Sequence, residues 1–271
     1  MKKIDILLPY WGDFNLLKKT INSIIAQTSD KWTLIIIDDN YPSLEAQEYC
    51  NTLNDKRIIY YRNPKNIGIT NNFNLCIKKA TAEYCIILGC DDILMPNYIE
   101  TALNNIGNND FYQPKVDIID ANDNLYLPLT DKAKRILRPK KPGIYHGEKL
   151  ATSLCHGNWL YFPSITWKTS TLKRYKFDPK YKILEDVILE LDLIKDGGKL
   201  FVDNETTFQY RRFADSLSSK EKKKGGIRFR EESEVYNEFS KTFKDLEWNR
   251  ASRAAQLHIT SRIHKIITKV I

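Results

Sequence analysis

No apolar run in this 271-residue chain approaches the length of a membrane-spanning helix, about 20 residues. Lys2-Lys3 is followed by only a short strand-like run, so no signal peptide is expected. The five cysteines, Cys50, Cys76, Cys85, Cys90 and Cys155, form no Cys-x-x-Cys pair. Their odd number and lack of framework spacing favour reduced thiols in a cytosolic chain. His146, His156, His258 and His264 have no metal-ligand spacing and read as structural or surface residues. There is no Gly-x-Gly-x-x-Gly fingerprint, which removes the usual dinucleotide signature, and no P-loop. No internal repeat is visible, and from Arg250 onward there is no Asp or Glu.

Hydrophobic residues make up 42% of the chain and charged residues 28%, so a packed core is expected. The net charge of +8 suits an anionic partner such as nucleotide phosphate, nucleic acid or a lipid surface. Against that basic background, Asp91 and Asp92 stand together at the end of the apolar run Tyr84 to Cys90. Such a run reads as a buried parallel strand, and open α/β sheets bind ligands at the carboxyl ends of their strands. Adjacent carboxylates repel unless a cation or donor offsets them, and Mg²⁺ takes one or two carboxylates plus substrate phosphates. A helix N-cap accounts for the pair equally well when it is read alone.

The first half alternates in type. Strand-like segments run over Ile4–Leu8, Trp32–Ile37, Arg57–Tyr61 and Tyr84–Leu88, with helical spacing over Phe14–Gln27, Ser43–Leu53 and Thr70–Ala80. Alternation of this kind predicts an α/β fold with a mostly parallel sheet flanked by helices. A further helix begins near Pro96, and Val116–Ile119 reads as a strand. Leu127 to Pro142 is rich in Lys, Arg and Pro without a period and reads as loop and short pieces. Gly147–Leu154 and Ile183–Lys195 read as helices, and Lys199–Val202 and Thr206–Tyr210 as two short strands. Ser216 to Gly226 reads either as a lid over phosphate or as a solvated charged loop. Two helices, about Ile227–Leu246 and Glu247–Val270, form a C-terminal extension. On the last, Trp248, Ala251, Ala255, Ile259, Ile263, Ile266 and Val270 follow three-or-four spacing. That face suits packing on the protein or a partner, and the basic composition also suits an anionic lipid surface.

Asp38-Asp39 ends the second strand, Asp91-Asp92 the fourth, and Glu185-Asp186 opens a later helix. In a parallel sheet the first two lie on one rim. Each has an ordinary reading as well: turn chemistry for Asp39, favourable helix N-terminal charge for Glu185-Asp186.

Taken in order, these segments resemble those of the family 2 glycosyltransferases, inverting sugar-nucleotide-dependent enzymes of the GT-A fold. Ile6-Leu7-Leu8-Pro9-Tyr10 is similar to the family's first strand and Pro-aromatic turn, and Ser23 to Thr28 to its first helix. Leu34 to Asn40 looks like its second strand and acid pair, and Asn66-Ile67-Gly68 and Asn74 like its Asn-x-Gly and Asn signature. Leu88 to Asp92, with Pro96, resembles its Asp-x-Asp-Asp segment, and Leu184-Glu185-Asp186-Val187 its Glu-Asp segment. Tyr210-Arg211-Arg212 to Ser216-Leu217-Ser218 resembles a late Tyr-Arg-Arg/His loop. The resemblance covers residues 1 to about 230. Gly89 stands where the first Asp of Asp-x-Asp belongs, Phe73 where an Arg often precedes the Asn, and Arg212-Phe213 where a His often closes the loop.

The resemblance implies a GT-A catalytic domain over 1–226, with a nucleotide-binding half over about 1–110 and an acceptor-binding half over about 111–226, and a helical extension over 227–271. It implies transfer of a sugar, of hexosyl type, from a nucleotide-diphosphate donor, most simply a UDP-sugar, to a hydroxyl of a glycan or lipid-linked acceptor in surface polysaccharide or glycoconjugate synthesis. Pro9, Tyr10 and Asp39 would line the base pocket, with Asp39 accepting from a pyrimidine N–H, and Asn66, Gly68 and Asn74 would also bind substrate. Asp91 would hold a divalent metal, Mg²⁺ or Mn²⁺, and Asp92 would support it or contact the donor sugar. Asp186 would be the general base, Glu185 would orient a neighbour, Arg212 would offset charge on the leaving diphosphate, and Trp159 would wall the acceptor side. The expected location is cytoplasmic or at the inner face of the plasma membrane through the last helix. Nucleic acid is not an expected partner, and an oligomer is left open. The rival readings are a sugar-phosphate nucleotidyltransferase, which would carry a Gly-rich basic loop where Pro9-Tyr10-Trp11-Gly12-Asp13 stands, and a non-catalytic module binding polyanions or membranes.

Overall fold

The computed structural model describes residues 2–213 and 227–257. Strands β1 (Ile4–Tyr10), β2 (Trp32–Asp38), β3 (Ile58–Arg62) and β4 (Tyr84–Ile87) alternate with helices α1 (Phe14–Ile25), α2 (Glu45–Thr52) and α3 (Ile69–Lys79). Then come β5 (Ile93–Leu94), α4 (Tyr98–Asn105), β6 (Phe111–Ile119), α5 (Leu129–Leu137), β7 (Gly143–His146) and α6 (Gly147–His156). The chain continues through β8 (Thr166–Lys168), α7 (Thr169–Leu172), α8 (Glu185–Lys195) and β9 (Lys199–Arg211) to α9 (Ile227–Asp245) and α10 (Asn249–Leu257). Among the described residues the strands form one nine-stranded sheet ordered β3-β2-β1-β4-β8-β6-β9-β5, with β7 paired to β9.

The sheet is parallel over β3-β2-β1-β4 and again between β6 and β9, and antiparallel where β8, β5 and β7 join. The first four strands are continuous apolar runs because both faces are covered. Alternate residues serve opposite layers, as the strand period of two requires. Ile4, Ile6 and Leu8 of β1 and Leu34 and Ile36 of β2 pack with Leu17, Ile21 and Ile24 of α1. Leu7, Ile35 and Ile37 pack on the other side with Cys76 and Ile77 of α3. Asp5, buried within β1, accepts from the Thr81 and Ala82 amides at 2.6 and 2.7 Å, joining β1 to the turn that enters β4.

Two expectations need correction. Residues 127–142 are not loop throughout: α5 occupies Leu129–Leu137. It is built inside out. Its buried residue is Asp131, while Leu129 and Ile136 are 81% and 75% exposed, so no inward apolar stripe marks it. Lys199 to Arg211 is one long strand, not two, continuing past the buried Asp203 and the exposed Asn204 and Glu205.

The C-terminal helices share the core of the sheet's second face. Val235, Tyr236, Phe239 and Phe243 of α9 and Ala251, Ala254 and Ala255 of α10 join the cluster that holds Leu189 and Leu193 of α8. Phe243 stacks on Trp248 at 5.7 Å, so the Trp248–Ala251–Ala255 face packs on the protein. Its expected continuation through Ile259, Ile263, Ile266 and Val270 lies outside the described residues, as does the Ser216 to Gly226 segment. Among the described residues no helix is long and apolar enough to cross a membrane.

Phe243 is fully buried between Phe239 and Trp248. Phe243→Ala is expected to cost about 3–5 kcal/mol, the usual range for a buried aromatic. Urea unfolding of the full chain measures this; a loss below about 1 kcal/mol would mean that α9 and α10 do not complete this core.

Candidate active site

The carboxyl ends of β1, β2 and β4 form one rim, because β1 lies between the other two in parallel register. Tyr10 pairs with Asp38 there, and the Asp39 amide donates to the Tyr10 carbonyl at 3.0 Å. Asp38 is structural. Its buried carboxylate meets Arg62 at 2.5 Å and accepts from the Tyr60 hydroxyl at 2.5 Å and the Tyr41 amide at 2.7 Å.

Asp39 is buried and accepts from Asn63 Nδ2 at 2.8 Å and from the Ile67 and Gly68 amides at 2.8 and 2.9 Å. A carboxylate has about four acceptor positions, so one is left for a further donor. Gly68 holds φ +82° and ψ 156°, a region essentially reserved for glycine, and Asn66 Oδ1 accepts its amide at 3.1 Å. The Asn66–Gly68 turn therefore exists to grip Asp39. Tyr10 and Trp11, at the end of β1, form an aromatic group with Tyr41, two residues past Asp39, with ring centroids 5.4 and 5.3 Å from Tyr41, and Trp11 is 48% exposed. Trp11 and Tyr41 did not stand out in the sequence, although both directly adjoin the rim residues.

Asn74 is placed elsewhere. Its amide and carbonyl clasp the Phe177 backbone at 2.9 and 3.0 Å, which ties α3 to the loop leading toward α8. The asparagine that serves the rim is Asn72, donating to the Ile37 carbonyl at 2.9 Å and accepting from Asn63 at 3.3 Å. On a helix the two positions face differently, and the spacing from Gly68 does not choose between them.

Asp91 and Asp92 lie in the turn between β4 and β5, so neither caps a helix. The Thr20 hydroxyl of α1 donates to the Asp92 carbonyl at 2.8 Å, and Asp92 Oδ1 accepts the Arg211 amide at 2.9 Å. Arg211 Nε donates to the Asp91 carbonyl at 2.8 Å, and Nη1 donates to the Asp120 carbonyl at 2.8 Å and pairs with Asp123 at 2.5 Å. Arg211 Nη2 is buried with no partner among the described residues. Burial raises the Asp91 carboxyl above its usual range, and burial together with the Asp91 charge raises Asp92 well above it. Outside its own amide, no donor among the described residues reaches the Asp91 carboxylate.

No group of three or more His, Cys, Asp or Glu able to hold a metal occurs among the described residues. An under-partnered carboxylate beside a second one still fits a hard divalent cation that completes its shell with water and phosphate oxygens.

Across the site, Glu185 and Asp186 open α8. Thr70, in the first turn of α3 two residues past Gly68, donates a short hydrogen bond to Glu185. Burial pushes Glu185 up to about 7. Burial also raises Asp186, against the Val187 amide, which donates to it at 2.8 Å, and the charges of Lys134 and Arg228. The residues before α8 are gripped from α9. Glu231 accepts the Lys182, Ile183 and Leu184 amides at 3.0, 3.0 and 3.4 Å, a contact between distant segments that no local pattern marks.

Glu190, one turn after Asp186, is buried with Oε1 unpartnered and Oε2 accepting from Asn158 at 2.8 Å; burial and the Asp186 charge raise it well above its usual range. Burial above all raises the Tyr210 hydroxyl; the Arg212 charge lowers it, and the charges of Asp92, Asp91 and Asp186 raise it further.

Arg212 is not available as expected. It forms a bidentate pair with the buried Asp131 at 3.0 and 2.8 Å, and the Tyr161 hydroxyl also donates to Asp131 at 2.7 Å. Burial acts to raise Asp131, but the Arg212 bonds and charge outweigh it and hold it low. Trp159 is buried and donates to Ser153 at 3.1 Å.

The model of the family described as Glycosyl transferase family 2 matches residues 5–169, more than half of the chain. An uncharacterized glycosyltransferase of Methanocaldococcus jannaschii is 29% identical over 197 residues, covering 72% of this chain and 65% of that protein. A protein of Escherichia coli named as a colanic acid biosynthesis glycosyl transferase is 36% identical over 101 residues, covering 37% of this chain and 36% of that protein. The chain thus spans less than two thirds of the length of either relative.

Among solved structures, Staphylococcus aureus TarS 1-349 superposes with a TM-score of 0.69 at 12% identity, over 96% of this chain and 73% of that one. A mannosyltransferase from Pyrobaculum calidifontis, in complex with GDP-Man and Mn²⁺, superposes with a TM-score of 0.67 at 11% identity, over 99% and 73%. At such identities the structures establish a common fold, and the family model establishes kinship. The chain belongs to glycosyl transferase family 2.

Proposed function

We propose that this protein is an inverting glycosyltransferase that moves a sugar from a nucleotide-diphosphate donor, a UDP-sugar, to a hydroxyl of a glycan or lipid-linked acceptor in polysaccharide synthesis. The observation that carries this reading is the pair of acidic stations joined through the start of α3: the Gly68 amide donates to Asp39 on the rim that also carries Asp91-Asp92, and Thr70, two residues on, donates to Glu185 beside Asp186 at the start of α8. The TarS complexes with UDP and UDP-GlcNAc and the mannosyltransferase complex with GDP-Man support a nucleotide-sugar donor. The kinship with a colanic acid biosynthesis protein supports a polysaccharide product.

In this reading Pro9, Tyr10, Trp11 and Tyr41 wall the base, and the remaining acceptor position of Asp39 takes an N–H of the base. Asp91, with Asp92 beside it, would hold Mg²⁺ or Mn²⁺, which when bound supplies positive charge to the donor diphosphate. Arg211, with its unpartnered Nη2, replaces Arg212 as the protein cation beside that diphosphate. Asp186 takes the proton of the acceptor hydroxyl while that oxygen attacks the anomeric carbon. The bond from that carbon to the phosphate oxygen breaks from the opposite face, and the diphosphate leaves with the electron pair. One displacement gives inversion. A raised carboxyl is a stronger base once ionised, which suits Asp186 to this task.

Asp186→Asn is expected to lower kcat by roughly 10²–10⁴ with UDP affinity unchanged; wild-type turnover would remove Asp186 from the base role. Asp91→Ala should abolish the Mn²⁺ dependence of UDP binding, read by calorimetry with and without chelator. An equal response to chelator in both proteins would remove the metal role.

Glu185 carries a linkage prediction. Its folded value of about 7 lies above the ordinary glutamate value of 4.5, so the folded state holds the extra proton between those values. The cost of its burial is therefore absent below about 4.5, grows as pH rises, and is complete above about 7. Glu185→Gln should be more stable than wild type at pH 8, by about 3 kcal/mol, and converge with it near pH 4.5. Urea unfolding at both pH values checks this; a constant difference would show that Glu185 ionises normally.

A further inference from the structure

Between β6, α5 and the Trp159–Tyr161 segment lies a cavity of about 340 Å³; Asn158, next to its Trp159 wall, donates at 2.8 Å to Glu190 of α8, one turn after Asp186. That is at the lower end of the range for small-molecule sites, roughly 300–1,000 Å³. Lys115 of β6, Lys134 and Arg135 of α5, and Arg138 and Lys140 just after α5 line it, and no carboxylate does among the described residues. Arg135 meets Asp117 at 3.1 Å. Lys134, Arg138 and Lys140 donate instead to the carbonyls of Leu160, Asp203 and Arg135, and none of the three makes a direct ion pair among the described residues.

Lys115 is exposed and makes no ion pair among the described residues. The Trp159 and Tyr161 rings form another wall, with Lys134 Nζ 4.3 Å from the Tyr161 ring centroid. Like charges around one cavity repel, and an anion inside it relieves them. Burial and the Arg212 charge push Lys134 down to about 8, while the charges of Asp186, Glu190 and Asp131 act on it in the opposite sense.

We infer that this cavity binds a phosphate group of the acceptor and so delivers the acceptor hydroxyl to Asp186. The inference rests on the reading of Asp186 as the base. Several separate cations suit a phosphate, with its spread oxygens and more than one charge, better than a single carboxylate. The phosphate could belong to a polyol phosphate or to a lipid diphosphate. Leu129 and Ile136, exposed on the outer face of the same helix, give the lipid source its own arm in the test.

The full chain, saturated with UDP so that the donor site is filled, is titrated calorimetrically with glycerol 3-phosphate and with farnesyl diphosphate. Glycerol and farnesol serve as uncharged counterparts. The test variant is Lys115→Glu/Lys140→Glu, at two exposed positions, and Lys115→Gln is a milder second variant. The wild type is expected to bind a phosphate probe and neither counterpart. The double variant should bind that probe about tenfold or more weakly, the scale of one lost charge-assisted hydrogen bond. Unchanged UDP affinity shows that the variants are folded. Tighter farnesyl diphosphate supports the lipid source, and tighter glycerol 3-phosphate the polyol source. Equal probe affinity in wild type and both variants, equal binding of the uncharged counterparts, or no binding of either phosphate overturns the inference. Failure of UDP itself to bind would count against the donor reading, and the phosphate titrations repeated without UDP would still decide the cavity.

Discussion

The acidic rim depends on one buried guanidinium. Arg211 sits at the end of β9 with its amide on the Asp92 carboxylate, Nε on the Asp91 carbonyl and Nη1 on Asp120 and Asp123. Two adjacent carboxylates in a desolvated turn would otherwise repel and protonate. A buried cation among them is tolerated because its donors are mostly satisfied, and removing it would strand the acids at a cost of about 3–5 kcal/mol. The same residue sets geometry: it fixes the β4–β5 turn against the far half of the sheet. The one donor left over, Nη2, is what such an arrangement can offer to an incoming anion.

The opposite station is set by the C-terminal helices. Glu231 of α9 collects three backbone amides ahead of α8, and Arg228 adds positive charge near Asp186. The turn that presents the candidate base is thus held by a segment distant in sequence, whose helix is itself anchored by Val235, Phe239 and Phe243. Packing in this region and the protonation of Asp186 are coupled, because a displaced α9 would free those amides and withdraw Arg228 together.

Much of the frame was legible in the sequence, since continuous apolar strands and amphipathic helices obey simple periods. The starts and ends of β1 to β4 and α1 to α3 fall within two residues of the sequence reading. The paired acids were legible because they end those strands. The partners were not. Asn74 and Asn72 are both plausible by spacing, and only the placement of Phe177 and Ile37 separates them. Arg211 and Arg212 are adjacent, and strand alternation sends one to the rim and the other to Asp131. Helix α5 was missed because its charges face inward, so the apolar pattern describes its solvent side.

Gly89 gives the departure from the family pattern a physical form. A Cβ built there would stand 2.5 Å from Asp92 Oδ2 and 3.1 Å from Asp91 Oδ1. The place where the Asp-x-Asp pattern would carry its first side chain is therefore taken by the carboxylate of Asp92. An aspartate at 89 would have to evict Asp92 from its bond to the Arg211 amide, and it would add a third like charge to a desolvated turn. The glycine and the seat of Asp92 are one arrangement, and neither changes without the other. With Asp92 Oδ1 held by the Arg211 amide, the carboxylate that has no donor beyond its own amide among the described residues is that of Asp91. A site built on that single carboxylate would draw most of its remaining oxygens from the donor diphosphate and water, so metal and nucleotide would bind together more strongly than either alone.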